Sequence, residues 1–192
     1  MKGEKMSAIV QAQQQTSSAL AAQALPQEAG QYLTFLLGGE IFAVGILAVK
    51  EIIEYPKITE VPMMPDSVRG VINLRGAVVP VMDLLARFGR PPSEVSKRTC
   101  IVIVEVQSAD EASGHQIIGV VVDAVNEVLD IAPSDIEPAP AFGAHIRTDF
   151  IQGMGKVNGK FVILLNVDHV LSMDEATLVQ ITGEHLHATE TA

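Results

Sequence analysis

The sequence is poor in the residues that usually dominate a hydrophobic core or a catalytic centre. Tryptophan is absent, aromatic residues make up 4% of the 192 positions, and cysteine occurs once, as Cys100. A single cysteine excludes both an intramolecular disulfide and a metal site built from several thiolates. Because 48% of the chain is nevertheless hydrophobic, the core must be built from Val, Ile, Leu and Ala, and β-branched residues favour strands.

Positive charge is also scarce. The chain has 13 Lys and Arg against 23 Asp and Glu, a net charge of -10. Proteins that bind nucleic acids carry a basic surface that neutralises phosphates. The densest basic cluster lies in a proline-containing connector without interleaved aromatic residues, and it consists of Arg87, Arg90, Lys97 and Arg98. The charge pattern therefore argues against a nucleic-acid partner.

Long hydrophobic runs are missing as well. No apolar stretch approaches the ~20 residues that a membrane helix needs. The first residues carry positive charge, but Gln11 and the glutamines at 13–15 interrupt any apolar segment behind them, which argues against a signal peptide. We therefore expect a cytoplasmic protein.

Composition divides the chain into three parts. Residues 1–30 are rich in Gln, Ala and Ser and contain no aromatic residue, which is typical of a flexible tail. Residues 31–178 alternate apolar runs with turn residues and form the expected folded domain. Residues 179–192 form an acidic C-terminal tail.

The folded part consists of apolar runs paired around turn signals. Gly38-Gly39, Arg75-Gly76 and Asn158-Gly159 each separate two such runs, and a polar loop separates 100–106 from 116–122. Short loops that contain glycine between apolar runs predict β-hairpins. Strands of this length and spacing favour a barrel or a sandwich over alternating strands and helices.

Helices are expected to be few and short. Asp83 can cap a turn at 84–88, and either Asn166 or Asp168 can cap a turn at 169–171. Ser172 and Glu175 fit a capping box, which predicts a C-terminal helix at 176–181.

An internal repeat links the two halves. Residues 48–53 match 124–129 at an offset of 76. At an offset of 83, Gly70, Gly76 and Asp83 find Gly153, Gly159 and Asn166. Two copies of one supersecondary unit predict two similar barrels related by a pseudo-two-fold axis.

Three segments carry a family resemblance. They are 71–84 (Val-Ile-Asn-Leu-Arg-Gly-Ala-Val-Val-Pro-Val-Met-Asp-Leu), 42–52 (Phe-Ala-Val-Gly-Ile-Leu-Ala-Val-Lys-Glu-Ile) and 119–128 (Gly-Val-Val-Val-Asp-Ala-Val-Asn-Glu-Val). Together they resemble the CheW-like domain of bacterial chemotaxis coupling proteins. The likeness covers about residues 31–178 with the family's order and spacing.

The resemblance implies a mainly β fold of two intertwined five-stranded barrels, Src-homology-3-like, with short helices and a C-terminal helix. It implies a non-enzymatic scaffold that couples the cytoplasmic tips of chemoreceptors to the regulatory domain of the histidine kinase CheA. Such a protein works at receptor arrays on the inner face of the membrane. It needs no cofactor or metal and binds no nucleic acid.

The resemblance also indicates where a receptor binds. Val49 matches the family position at the edge of the receptor-binding groove, and Ile52 lies in the same segment. Val125 and Val128 are their counterparts in the second half and could line the same groove. Plain core packing is the alternative for these positions.

A second candidate set consists of Arg75, Glu51 and Asn73. On strand alternation Glu51 shares a face with Val49 and Ile53, and a carboxylate among apolar neighbours favours a cation such as Arg75. Arg75 also lies at a hairpin tip, where its guanidinium could meet a partner. A kinase-binding role and a purely structural pair both remain open.

A ligand-binding or enzymatic barrel, with its site at the seam between the barrels, is the alternative function. The seam would need convergent polar residues, whereas the sequence offers mostly Val, Ile and Ala. His115, His169, His185 and His187 are scattered, and no nucleophile, metalloprotease or phosphate-loop motif is present. Catalysis therefore has little support.

Overall fold

The computed structural model describes residues 29–108, 114–140 and 146–173. Two helices of four residues, Leu84–Arg87 and Val167–Val170, lie in these ranges, and no helix there is long and apolar enough to cross a membrane. The strands, numbered in chain order, are β1 (Gly30–Leu37), β2 (Glu40–Gly45), β3 (Val49–Glu54), β4 (Val68–Leu74), β5 (Ala77–Asp83), β6 (Cys100–Gln107), β7 (His115–Val122), β8 (Ala124–Ile131), β9 (Ile136–Glu137), β10 (Ile151–Val157) and β11 (Lys160–Leu165).

The strands form two sheets that exchange hairpins between the halves of the chain. One sheet has the order β3-β6-β7-β5-β4, and the other has the order β8-β1-β2-β11-β10-β9. The hairpin β1-β2 thus completes the sheet of the second half, and β6-β7 completes the sheet of the first. Apart from β9, the two orders correspond strand for strand, as expected if both halves repeat one supersecondary unit.

Each sheet closes on itself through the chain that follows its first strand. After β3, Thr59 forms a bridge to Val71 in β4, and after β8, the two-residue strand β9 pairs with β10. The expected intertwined barrels are therefore present. The first barrel has the expected five strands, whereas the second has six. The segment that follows the edge strand and returns across the barrel pairs at one residue in the first barrel, which makes a bridge, and at two residues in the second, which makes the strand β9.

Matching glycines stand at the place where each returning chain crosses its barrel. A Cβ atom on Gly70 would lie 2.1 Å from the carbonyl oxygen of Thr59, and one on Gly153 would lie 2.6 Å from Ile136 and 3.0 Å from the carbonyl oxygen of Glu137. Both glycines adjoin register shifts, in β4 and β10. These positions require glycine because another backbone passes too close for a side chain.

The predicted hairpins are confirmed. In the three tight turns both central residues have positive φ, as at Arg75 (52°) and Gly76 (87°) or Asn158 (50°) and Gly159 (76°). This combination matches the right-handed twist of the flanking strands. Arg75 is unusual there, because arginine has no intrinsic preference for the left-handed region.

The largest core cluster lies between the barrels. It contains buried side chains of both sheets, such as Phe35 and Phe42 from one and Val102 and Ile118 from the other. Two smaller clusters fill the barrels themselves. Consistent with the composition, most of these side chains are Val, Ile and Leu.

Both helices begin at the predicted caps. The Asp83 carboxylate accepts hydrogen bonds from the backbone N–H groups of Leu85 and Ala86, and Asn166 accepts one from His169. Of the two cap candidates in the second half, Asn166 is therefore the cap. Asp168 instead accepts a hydrogen bond from the Gln107 N–H at 2.9 Å.

Asp83 is also the centre of a buried polar network, which was not predicted. The side chain is fully buried. Its Oδ2 accepts hydrogen bonds from Arg69 Nε (2.9 Å), Arg69 Nη2 (2.7 Å) and Ser93 N (2.9 Å), and its Oδ1 accepts one from Ser93 Oγ (3.3 Å). Arg69 also donates to the Ser93 carbonyl. The network fastens the connector that leads to β6 onto the first barrel.

The predicted N-terminal tail up to residue 28, the C-terminal helix at 176–181 and the acidic tail lie outside the described residues.

Candidate functional site

Each sheet ends in an edge strand that carries one exposed aliphatic side chain. In β3 this residue is Ile52, which is 44% exposed, and in β8 it is Val128, which is 46% exposed. The two positions are separated by 76 residues, the offset that relates the repeats. Exposed apolar side chains at equivalent places on both barrels provide surface that a partner can cover.

Val49 and Val125 lie near the start of the same two strands. Both are half-buried and pack against the core cluster between the barrels. The structure therefore places Val49 with Ile52 on one edge strand and Val125 with Val128 on the other, in different sheets. That all four line one receptor-binding groove stays a prediction.

A second pair of exposed apolar residues, one on each barrel, was not identified from the sequence. Val78 in β5 is 36% exposed and Phe161 in β11 is 52% exposed. They face Asn73 and Lys156 in their hairpin registers. The offset of 83 relates the two positions. A comparison of the two repeats for strand positions that are apolar in both could therefore have found them.

Glu51 and Arg75 form a two-pronged ion pair. Nη1 of Arg75 donates to Oε1 of Glu51 at 2.7 Å, and Nη2 donates to Oε2 at 2.8 Å. The strand pairing of β3 shifts register between Val49 and Glu51. The Glu51 carboxylate raises the pKa of Arg75. The pair joins the edge strand β3 to the tip of the β4-β5 hairpin.

The environment of the pair is uneven. The Arg75 side chain is 76% exposed, whereas the Glu51 side chain is 25% exposed. An exposed pair contributes little to stability, because water competes for both charges. The remaining guanidinium surface of Arg75 is open to a partner, so the geometry is compatible with either role.

Asn73 has a local contact at the same turn. Its Oδ1 accepts a hydrogen bond from the N–H of Gly76 at 2.9 Å. This bond stabilises the turn that presents Arg75. Asn73 therefore positions the hairpin tip, whatever the tip binds.

The second barrel has no counterpart of this ion pair among the described residues. Asn158 stands at the position of Arg75, and Glu127 stands at that of Glu51. There the buried Thr34 hydroxyl joins β1 to β8, since it donates to the Glu127 carbonyl at 2.8 Å and accepts from the Glu127 N–H at 3.2 Å. The two barrels thus share their apolar edges and differ in their charges.

The buried interior of the seam between the barrels is filled. In its described part a cavity of about 10 Å³ is lined only by apolar residues, among them Phe35, Val104 and Leu171. A water molecule needs about this much space and two to four polar partners. This buried cavity has neither the volume nor the polar groups for a small-molecule site.

Comparison with known proteins places the chain in a family. The family described as the CheW-like domain matches residues 31–175. The chain belongs to the CheW-like family. It is 34% identical to the chemotaxis protein CheW of Klebsiella aerogenes over 164 residues, which cover 85% of this chain and 93% of that protein. It is also 34% identical to the chemotaxis protein CheW of Rhizobium meliloti, over 81% of this chain and 96% of that protein.

A solved structure agrees with the sequence comparison. The crystal structure of the scaffolding protein TtCheW from Thermoanaerobacter tengcongensis matches with a TM-score of 0.67 and 32% identity, and covers 79% of this chain and 94% of that one. The chain is accordingly a non-enzymatic CheW-like scaffold of chemotaxis signalling. The match confirms the family resemblance and the mainly β fold.

Proposed function

We propose that this chain couples the cytoplasmic signalling tips of chemoreceptors to the regulatory domain of the histidine kinase CheA. The observation that carries the proposal is the pair of equivalent apolar edges, one on each barrel of a CheW-like fold. An adaptor needs two surfaces that can be occupied at once: here the receptor takes the two apolar edges, and the kinase takes the hairpin tip at Arg75. The proposed location is the cytoplasm, at receptor arrays on the inner face of the membrane.

The receptor surface is the predicted groove of Val49, Ile52, Val125 and Val128. A helical tip binds through apolar side chains that recur along one face. Val49 and Val125 pack against the core cluster between the barrels. Ile52 and Val128 are exposed to solvent. The exposed members make contact, and the half-buried members fix their backbone.

The kinase surface is the tip of the β4-β5 hairpin, where Arg75 is held by Glu51 and Asn73. The resemblance gives the kinase regulatory domain the same fold, so contact between barrel ends brings hairpin tips together. Val78 is exposed beside this tip, which provides apolar area next to the charge. Arginine beside apolar surface is a frequent combination at protein interfaces.

The receptor surface is tested with Ile52→Glu. A glutamate placed in an apolar contact is costly unless it is paired, so receptor affinity should fall at least about tenfold while kinase affinity is unchanged. Ile52 is a cleaner target than Val49, because Val49→Glu also introduces a charge against the core. Val95→Glu is the matched control, since Val95 is 53% exposed in the connector.

Binding is measured by titration of a receptor cytoplasmic fragment and, separately, of the kinase regulatory domain. A normal receptor affinity for Ile52→Glu would contradict the groove assignment. Competition between the receptor fragment and the kinase domain for the unmodified chain would contradict the adaptor function itself.

The kinase surface is tested by reversing the ion pair. Arg75→Glu should weaken kinase binding, and the double variant Arg75→Glu with Glu51→Arg restores an ion pair with the charges exchanged. If Arg75 contacts the kinase, the double variant regains stability but not kinase affinity. If the pair is purely structural, the double variant regains both, and the proposed kinase site is wrong.

A further inference from the structure

A polar cleft of about 400 Å³ has no residue of the edge strands β3 and β8 in its described lining. It is formed by the end of β6, the turn Thr148–Phe150 and the helix Val167–Val170, with Arg87 from the other helix. Sites for small ligands commonly measure roughly 300–1,000 Å³. The proposed receptor and kinase surfaces make no use of this cleft.

Phe150 holds two guanidinium groups at the cleft. Its ring is buried, and the guanidinium carbons of Arg87 and Arg147 lie 5.3 Å and 4.9 Å from the ring centroid. Arg87 also donates hydrogen bonds to the carbonyls of Val170 and Ser172, each at 3.1 Å. Stacking on an aromatic ring fixes the plane of a guanidinium and lowers the entropy lost when it binds a ligand.

The two carboxylates of the cleft already accept hydrogen bonds. Asp149 accepts from Nε and Nη2 of Arg147 at 3.1 Å and 2.7 Å, and Asp168 accepts from the Gln107 N–H. The Arg147 side chain is 70% exposed. Among the described residues, Nη1 of Arg147 makes no hydrogen bond, and the imidazole of His169 lines the same cleft. Asp149 takes Nε and Nη2 of Arg147, so the Nη1 edge of this exposed guanidinium is left for a ligand.

We infer that this cleft binds the carboxylate group of an acidic peptide segment, with Arg147 as the residue that receives it. Guanidinium groups are suited to carboxylates because their N–H groups form a fixed fork. Asp149 and Phe150 orient the fork before the ligand arrives, and His169 provides a further donor. The chain carries a net charge of -10, so an acidic segment is repelled by most of its surface, and binding must come from this local arrangement.

The test uses a fluorescently labelled peptide of six glutamates and the full chain at an ionic strength of about 0.15 M, which screens repulsion from acidic residues more than ~8 Å away. Fluorescence anisotropy should report binding to the unmodified chain and an affinity at least about tenfold lower for Arg147→Ala. Lys160→Ala is the matched control, because it removes one exposed positive charge at the far end of the β10-β11 hairpin. Its affinity should stay within about twofold of the unmodified chain. Thermal melting checks that both variants are folded.

Two further measurements separate the possible sources of binding. The His169 side-chain resonances should shift when the peptide is added to the unmodified chain and should not shift in Arg147→Ala. Competition by succinate would assign the site to free carboxylates as well as to peptides, and no competition would restrict it to peptides. The inference is overturned if the peptide does not bind, if a peptide of six lysines binds more tightly, or if both alanine variants weaken binding equally. Receptor and kinase are absent from this experiment, so its failure leaves the adaptor function untouched.

Discussion

The buried carboxylate of Asp83 offers the sharpest test of what holds the first barrel together. All of its hydrogen-bonding partners are donors: Arg69, the backbone and hydroxyl of Ser93, and the first N–H groups of the helix Leu84–Arg87. Asp83→Asn keeps the shape of the side chain but replaces one acceptor oxygen by an NH₂ group. Whichever way the amide turns, its NH₂ faces donors.

The expected loss follows from this arrangement. Removing one member of a buried ion pair costs about 3–5 kcal/mol, because the other charge stays uncompensated. The Arg69 side chain is 24% exposed and keeps part of its hydration, so we expect the lower end, ~3 kcal/mol. A domain is stable by about 5–15 kcal/mol in total, and the variant should therefore unfold at a clearly lower urea concentration.

Urea unfolding followed by circular dichroism measures the difference. Asp123→Asn is the matched control, because Asp123 is only partly buried and its Oδ2 accepts a single hydrogen bond, from the Gly38 N–H at 2.8 Å. That variant should lose about 1 kcal/mol. Equal losses for the two variants, or a loss below about 1 kcal/mol for Asp83→Asn, would refute the view that Asp83 is a central structural carboxylate.

Three further predictions concern single contacts. In a double-mutant cycle of Glu51→Gln and Arg75→Gln, the coupling free energy should be small, because the Arg75 side chain is exposed, and a coupling as large as that of a buried ion pair would contradict this view. Gly70→Ala should lower the free energy of unfolding by about 1–3 kcal/mol or more, since its Cβ would lie 2.1 Å from a backbone carbonyl oxygen; an unchanged urea midpoint would show that the neighbouring chain moves aside. Lys50 lies 2.5 Å from the Glu105 carboxylate, and the hydrogen bond from Lys50 holds the pKa of Glu105 below its usual value. The small stability from this pair is therefore present above the unfolded pKa and lost as pH falls through the lowered one. In Lys50→Met, carboxyl NMR should show the pKa of Glu105 rising, and no change would exclude the ion pair in solution.

The local features of the fold could be predicted from the sequence because each depends on a few neighbouring residues. Gly38-Gly39 and Asn158-Gly159 specify tight turns through backbone geometry alone. Asp83 and Asn166 specify helix starts because a side-chain oxygen precedes free N–H groups. The contact between Glu51 and Arg75 is not local in this sense: alternation indicated that Glu51 favours a cation, and the family resemblance pointed to Arg75.

The features that were missed depend on residues distant in the chain. The pairing of β1-β2 with β8 and β11 was implied by the family resemblance, because the pattern of residues alone does not specify strand partners distant in the chain. Arg69 and Ser93 meet at Asp83 only after the first barrel has closed. Val78 and Phe161 looked like ordinary strand residues, because alternation in a short hairpin cannot say which face a neighbouring barrel covers.

The exchange of hairpins makes the two halves of the chain dependent on each other. A cut in the connector between the helix Leu84–Arg87 and β6 would leave two fragments, each carrying the hairpin that belongs to the other's sheet. Neither fragment could satisfy the backbone hydrogen bonds of its own sheet, so the halves should behave as the two parts of a split protein that becomes ordered on reassembly. In the intact chain the same linkage has a mechanical meaning. A load applied to one barrel passes through continuous backbone into the other, so a partner that pulls on either barrel pulls on a single body.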